Sequence, residues 1–308
     1  MSIFTPVDEA ELRAFLANYS VGELVSSKEI VEGVENTNYF VTTTQGEYVL
    51  TLVESLDFDR SSEVQDFVVF LAAHQIKVAG PIKSNSGDVT LKLNGRPAVL
   101  SCRLKGSPVD IPSITQCHVI GEELGRSHRK SVDHSYLRKK NVIDWCVSCA
   151  DALGNTLSNE DQKLVNSVLK TFKNIPWYKL PAGPIHADLF PDNALFVDDE
   201  LQGVIDFYHS CDAPFIFDLA VMLNAWCYSE SVGCFYPVKE MTILDAYQSQ
   251  RKLSPIELEW LTAVRVVAAM RFWLSRETAH SQTKDRELVT TKDPQGLKKL
   301  LISLLDRS

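Results

Sequence analysis

Apolar residues fall at helical spacing in the opening stretch and then switch to strand-like alternation. Val7, Leu12, Phe15 and Leu16, with acids near the start, predict a short helix over Val7 to Ala17. β-Branched and aromatic segments follow at Ile30-Val31, Tyr39 to Thr43 and Tyr48 to Leu52, with Gln45-Gly46-Glu47 turning between the last two. Val64 to Gln75 reads as a helix, and Val89 to Leu93 with Ala98 to Cys102 as a hairpin around Asn94-Gly95. Strands, one helix and more strands make a small α+β lobe.

From Lys105-Gly106-Ser107-Pro108 onward the pattern is mainly helical. Ile114 to His128 places Cys117, Ile120, Leu124 and His128 along one face, and further helices are expected over Val142 to Leu153 and Asp161 to Phe172. Ala220 to Cys227 and Leu258 to Leu274 are strongly apolar, as buried helices are. With no internal repeat or low-complexity linker, the hinge is expected near residues 102–107. That gives an N-terminal lobe over 1–104 and a C-terminal lobe over 105–308, both contributing to one cleft.

Between the helical segments lies the chemistry. His186-Ala187-Asp188-Leu189-Phe190-Pro191-Asp192-Asn193 is followed, thirteen positions after the Asn, by Asp206. Ala194 to Val197 reads as a strand, Asp198-Asp199-Glu200 as a turn and Leu201 to Ile205 as the return strand, so a hairpin separates Asn193 from Asp206. A single Asp or Asn is more often a turn or cap residue. Three in this order match the protein-kinase pattern H-R-D-L-x-x-x-N with a later Asp, in which the first Asp accepts the hydroxyl proton and the Asn and second Asp hold metal ions on the nucleotide phosphates. Only the Arg is replaced, by Ala187. His186 reads as a structural histidine holding the loop by hydrogen bonds rather than as a general base.

Composition bounds this picture without changing it. The 308 residues suit two lobes, and 45% hydrophobic with 23% charged content is ordinary for a soluble globular chain. A net charge of −9 argues against a broad nucleic-acid-binding surface. No apolar run approaches the ~18 residues of a membrane span, and Met1 to Phe15 lacks the basic start of a secretory signal. Seven cysteines in apolar contexts fit reduced thiols of a cytoplasmic protein. Cys146-Val147-Ser148-Cys149, without a second pair, reads as core packing rather than zinc.

The two-lobe pattern and catalytic loop resemble the kinase-like superfamily of small-molecule phosphotransferases, and closer wording is similar to its homoserine kinases. The segments that carry this are Glu32 to Phe40, Tyr48 to Leu52, His186 to Asn193, Val204 to Tyr208, Asp218-Leu219-Ala220 with Leu223 to Cys227, and Arg271 to Arg276. The resemblance implies an α+β, protein-kinase-like two-lobed fold, with a small strand-rich nucleotide-binding N-lobe and a larger, mainly helical C-lobe. It implies ATP and Mg2+ as cofactors and L-homoserine as the small-molecule partner, with no nucleic acid and no membrane. Asp188 would be the catalytic base, Asn193 and Asp206 the magnesium ligands, and Asp218 a buttress of the loop. Gly33, Asn36, Thr37 and Asn38 would lie in the phosphate-covering turn, offering backbone and side-chain donors.

Substrate would be read by the C-terminal half. Arg265, Arg271 and Arg276 sit on an apolar helix and need partners. Arg271, from its place in the family motif, is expected to bind the homoserine carboxylate; the alternative is an ion pair with a carboxylate such as Asp218. Asn224 could bond a substrate amino or hydroxyl group, or satisfy a backbone carbonyl. Tyr208, Trp226, Tyr228 and Trp273 supply aromatic surface; an open cage of them would suit choline instead. Thr51 stands where protein kinases carry a phosphate-binding Lys, leaving Lys28, Arg103 and Lys105 as possible counter-charges. The rival readings are a kinase for another small alcohol (choline, methylthioribose, an aminoglycoside-like compound) and a nucleotide-binding regulator that does not turn over.

Overall fold

A computed structural model of the chain describes residues 4–31, 35–132, 137, 142–283 and 293–307. It divides into two compact units. The first takes Met1–Ser107 with Leu195–Asp198 and Gln202–Tyr208; the second takes Pro108–Ala194, Asp199–Leu201 and His209–Ser308.

In the first unit, helix α1 (Glu9–Leu16) starts at Asp8, whose side chain accepts from the Glu11 amide while Glu11 accepts from the Asp8 amide. This capping box satisfies two otherwise orphaned donors. Strands β1 (Leu24–Ile30), β2 (Thr37–Thr43), β3 (Gly46–Leu52), β4 (Leu91–Leu93) and β5 (Arg96–Cys102) form one antiparallel sheet in the order β1-β2-β3-β5-β4. Thr37, Tyr39, Val41 and Thr43 are the buried positions of β2, the period of two that a strand demands. Tyr39, Val41, Leu50, Leu52, Ala98 and Leu100 pack with Leu12, Phe15 and Leu16 of α1 in one core. Helix α2 (Phe58–Ala73), capped by Asp57, buries Val64, Phe67, Val68 and Leu71.

The anticipated β4–β5 hairpin turns at Asn94 and Gly95, both with positive φ (+50° and +77°), as a two-residue type I′ connection requires. Strand β1 is longer than the predicted Ile30-Val31. It lies at the sheet edge with five consecutive exposed residues, so no alternation marked it in the sequence. A further hairpin, β6 (Ala194–Val197) and β7 (Glu200–Val204), joins the first unit through paired bonds between Ser107 and Phe196, both 3.0 Å. Its return strand bonds at Val204, to the Lys77 carbonyl (2.9 Å) and from the Ala79 amide (3.1 Å).

The second unit is built on helices. They are α3 (Ile114–Ser131), α4 (Val142–Leu153), α5 (Asn159–Phe172), α6 (Phe215–Cys227), α7 (Pro237–Gln250), α8 (Pro255–Thr283) and α9 (Gln295–Leu305). Between α5 and α6, Ala182–Ile185 pairs antiparallel with Cys211–Pro214, a small ribbon that frames the His186 loop. Twelve of the residues of α6 are buried, Asp218 and Asn224 among them, in keeping with the strongly apolar stretch from Ala220 to Cys227. Helices α3 and α7 pack closely. A Cβ on Gly121 would meet the Ile243 carbonyl oxygen at 2.8 Å, and one on Gly125 the Tyr247 carbonyl oxygen at 2.6 Å. Only glycine fits at those two points, and the closeness brings Tyr247 of α7 within reach of His128 of α3. Among the described residues no helix is long and apolar enough to cross a membrane, and all seven cysteines are free thiols.

Candidate active site

The loop after Ile185 is held from every side. Ala187 is buried and takes φ +66°, a left-handed conformation that costs a non-glycine residue roughly 1–2 kcal/mol. That turn points two successive amides at one carboxylate: His186 donates to Asp218 Oδ2 at 2.9 Å and Ala187 to Oδ1 at 2.8 Å. The Asp188 amide donates to His186 Nδ1 at 3.2 Å, so the imidazole serves the loop as an acceptor. The Phe190 amide closes on the Asp188 carbonyl at 2.8 Å, and Trp226 Nε1 donates to the Leu189 carbonyl at 3.0 Å. A buried tryptophan of α6 thus ties down the residue next to Asp188.

Asn193 completes the turn. Its Nδ2 donates to the Asp188 backbone oxygen at 2.8 Å and to Asp188 Oδ2 at 3.1 Å, which fixes the carboxylate's orientation. With the nitrogen engaged, the amide's carbonyl oxygen is left as an acceptor that meets no donor among the described residues.

Asp218 is fully buried and also accepts from His128 Nε2 at 3.1 Å. Burial works against its ionisation, but the hydrogen bonds from His128 and the His186 amide outweigh it and hold the carboxyl below the usual range. His128 moves down as well: burial disfavours its cation more than the Asp218 carboxylate favours it. The pair is therefore a neutral imidazole donating to a carboxylate.

In the first unit, Asp206 follows β7 with φ +62°. Tyr208, two residues on, is hydrogen-bonded to Thr51, and its hydroxyl pKa is pushed up by burial and then by the Asp206 carboxylate. Thr51 Oγ1 in turn donates to Asn38 Oδ1 at 2.7 Å. Where protein kinases place a lysine, this chain has a neutral Asn38–Thr51–Tyr208 network. Of the three cations considered as counter-charges, Arg103 is engaged by Glu47 at 3.3 Å and lies over the Phe40 ring; Lys28 and Lys105 are exposed.

Gly33 lies outside the described residues. Side chains of the adjoining residues make bonds within the protein. Thr37 Oγ1 donates to Glu54 Oε1 at 2.8 Å and accepts from the Phe4 and Thr5 amides; Asn36 Oδ1 accepts from the Glu54 amide. Asn38 Nδ2 donates to the Asn36 carbonyl at 3.2 Å.

Among the described residues no three His, Cys, Asp or Glu side chains gather as a metal cage. A magnesium ion carried by a nucleotide needs only one or two protein carboxylates, its other ligands being phosphate and water oxygens. A carboxylate such as that of Asp206 and an amide oxygen such as that of Asn193 are both hard oxygen donors of the class such an ion prefers.

The three helix arginines have separate fates. Arg265 pairs with Glu240 at 2.8 Å and donates from Nε to Asn224 Oδ1 at 3.0 Å, while Asn224 Nδ2 donates to the Arg265 carbonyl at 2.8 Å. Asn224 thus satisfies a backbone carbonyl of the neighbouring helix. Arg276 pairs with Glu230 at 2.9 Å. Arg271 is only 5% exposed, yet among the described residues it contacts no anion: its guanidinium lies over Phe272 (4.0 Å) and Trp145 (5.4 Å). The anticipated alternative, a pair with Asp218, is not formed. Phe272 also meets Phe190 edge-on at 4.7 Å, so Arg271 neighbours the loop that carries Asp188. Trp226 and Trp273 are fully buried, with their indole N–H groups spent on Leu189 and Glu277, and do not form an open cage.

The sequence reading passed over His128, Tyr247 and Arg251. In the sequence His128 shows only as part of a buried helix face, and its partners lie 90 and 119 residues away.

Residues 26–248 match the phosphotransferase enzyme family APH. The chain is 36% identical over 305 residues to the homoserine kinase of Methylobacillus flagellatus, covering 98% of this chain and 94% of that one. To the homoserine kinase of Neisseria meningitidis serogroup B it is 34% identical, covering 99% and 100%. Its fold is similar to amicoumacin kinase hAmiN, solved with AMP-PNP, Ca2+ and Ami (TM-score 0.74, 16% identity, 98% and 94% covered). The choline kinase LicA from Streptococcus pneumoniae is also similar (TM-score 0.71, 14% identity, 97% and 99% covered). The fold is thus the expected protein-kinase-like one, a strand-rich N-terminal part and a larger helical C-terminal part. Kinship over nearly the whole length, rather than over the loop alone, makes this chain a member of the APH phosphotransferase enzymes and, among them, of the homoserine kinases.

Proposed function

We propose that the protein phosphorylates L-homoserine with ATP, giving O-phosphohomoserine and ADP, a step toward threonine. The substrate hydroxyl oxygen attacks the γ-phosphorus, the bond to the β–γ bridging oxygen breaks, ADP leaves, and the hydroxyl proton passes to the Asp188 carboxylate. Because phosphoryl transfer has a loose transition state, aligning the hydroxyl matters more than a strong base. The hydrogen bond from Asn193 supports that role by holding Asp188 in one orientation. Asn193 and Asp206 are the residues proposed to hold Mg2+, which when bound neutralises charge on the phosphate oxygens. Residues 1–104 are assigned to the nucleotide, with adenine near Ser101 to Leu104 and the Gly33–Asn38 turn over the phosphates; residues 105–308 are assigned to catalysis and substrate. Arg271, Asn224 and Tyr208 are the residues assigned to the substrate.

The observation that carries the choice of substrate is Arg271, a guanidinium nine-tenths buried between aromatic faces with no anion beside it among the described residues. A buried cation of this kind calls for a carboxylate, ideally through a two-pronged pair. Homoserine supplies one; choline and aminoglycosides bring positive charge instead. A coupled ADP-release assay over homoserine, choline, methylthioribose and an aminoglycoside tests the reading. Homoserine-dependent ADP formation is the expected result; a preference for choline, or no turnover on any alcohol, overturns it.

A further inference from the structure

We infer that His128, Tyr247 and Arg251 are positioning residues for phosphoryl transfer, acting through Asp218 on the backbone that aims Asp188. This rests on the reading of Asp188 as the base.

Four side chains, from α3, α6 and the end of α7, make one chain of hydrogen bonds. Arg251, just after α7, donates from Nη1 to the Tyr247 hydroxyl at 3.0 Å. Tyr247 meets His128 Nδ1 at 2.8 Å, and His128 Nε2 meets Asp218 Oδ2 at 3.1 Å. Asp218 then receives the His186 and Ala187 amides. Both ends fix the direction. A guanidinium can only donate, and an amide N–H can only donate, so the Tyr247 oxygen must accept at one end and the Asp218 oxygens at the other. The Tyr247 proton therefore goes to His128 Nδ1, and His128, neutral, carries its own proton on Nε2. No other tautomer satisfies every partner. Hydrogen bonds aligned in one direction in a buried setting strengthen one another.

The groups facing this chain keep its charges fixed. Glu257, wholly buried, takes Arg251 Nη2 at 2.9 Å and the Ser254 amide and hydroxyl, so Arg251 is paired as well as donating. Phe215 lies against both the His128 ring (4.7 Å) and the Arg251 guanidinium (4.8 Å). The approach of α7 to α3 depends on the two side-chain-free positions, Gly121 and Gly125.

What the chain holds is the positive-φ turn at Ala187, the residue before Asp188. Left-handed backbone at a non-glycine residue persists only where its surroundings enforce it. Here the enforcement is the pair of amide bonds to Asp218, whose position is set by His128 and, behind it, Tyr247.

The test uses the full-length enzyme with Tyr247→Phe, which deletes one hydroxyl, and His128→Leu beside His128→Gln, whose amide can both accept from Tyr247 and donate to Asp218. For Tyr247→Phe, kcat per folded molecule is expected to fall by about tenfold, with both KM values within about twofold. His128→Leu should lose more and His128→Gln recover most of the loss. Hydrogen exchange at the His186 and Ala187 amides should quicken in Tyr247→Phe and His128→Leu, while amides in the middle of α6 stay protected. Wild-type kcat per folded molecule with unchanged exchange at those two amides overturns the inference. Exchange needs no turnover: a fully active Asp188→Asn enzyme would remove the base assignment, and the exchange result would still decide whether the relay holds the loop.

Discussion

Asn193 reaches back five residues to Asp188 and grips it twice, at the backbone oxygen and at one carboxylate oxygen. One amide would thereby do two jobs in the proposed reaction: its nitrogen orients Asp188, and its oxygen is the atom proposed to meet the cation. Asn193→Ala removes both. Turnover is expected to drop by roughly 10²-fold or more, on the order of one lost general-base or positioning contribution, and the Mg2+ needed for half-maximal rate should rise. Rates measured across a magnesium titration check this; a loss under threefold with an unchanged metal requirement contradicts it.

Removing only the charge of the proposed base separates chemistry from binding. Asp188→Asn should lower kcat by about 10²–10⁴-fold while leaving ATP affinity close to that of the parent protein. Single-turnover rates and nucleotide titration, run side by side, measure the two quantities.

Arg271 gives a prediction in which activity and stability move differently. A buried guanidinium without an anion contributes little to folding, and replacing it with an apolar chain is often neutral or stabilising. Arg271→Met is therefore expected to keep or raise Tm, while raising the homoserine KM by about 10–100-fold, in keeping with the loss of a charge-assisted pair. The KM for ATP should not change. If Tm instead falls by several degrees and the homoserine KM holds, Arg271 is an element of the core.

Acid should weaken the fold in two stages. The His128 pKa is lowered from 6.5 in the folded state, so the unfolded chain takes up this proton first. Its contribution is complete above about 6.5 and declines as pH falls toward the folded-state value, with a slope of at most ~1.4 kcal/mol per pH unit. Asp218 is lowered from 3.8, so its contribution is present above that pH and is lost only as strongly acid conditions reach its folded-state value. Urea unfolding at pH 7.5 and 5.5 should show a smaller difference for His128→Gln than for the parent; equal differences would contradict the assignment of a neutral buried imidazole.

Thiol reactivity offers a simple check on packing. Burial pushes Cys117 up to about 11 and Cys227 higher still, whereas Cys102 and Cys234 are exposed. Alkylation near neutral pH should label Cys102 and Cys234 and spare Cys117 and Cys227, since the thiolate is the reactive form. Peptide mass spectrometry reads the pattern.

Local rules carried the sequence reading far. The Asn94-Gly95 turn, the capped α1 and the apolar α6 each follow from a few neighbouring residues, and the loop from His186 to Asn193 stands out by its spacing. Helix α7 was not seen because Val238 and Met241 lie exposed, which blurs the stripe formed by Ile243, Ala246 and Tyr247. Helix α9 did carry a clear signal, Leu297, Leu300, Leu301 and Leu304 at helical spacing, that went unread. The relay behind Asp218 was illegible for a different reason. Its members are joined by tertiary packing, and nothing in the neighbourhood of His128 along the chain points to Tyr247 or Asp218.

Ala187 stands where a glycine would rest more easily. A hydrogen there would relieve the local backbone and widen its repertoire at once, trading firmness beside the nucleophile's partner for a gain in ease. A β-branched side chain would fit neither purpose. The methyl group marks a narrow compromise, with substitutions in either direction expected to register in the enzyme's rate before they register in its survival.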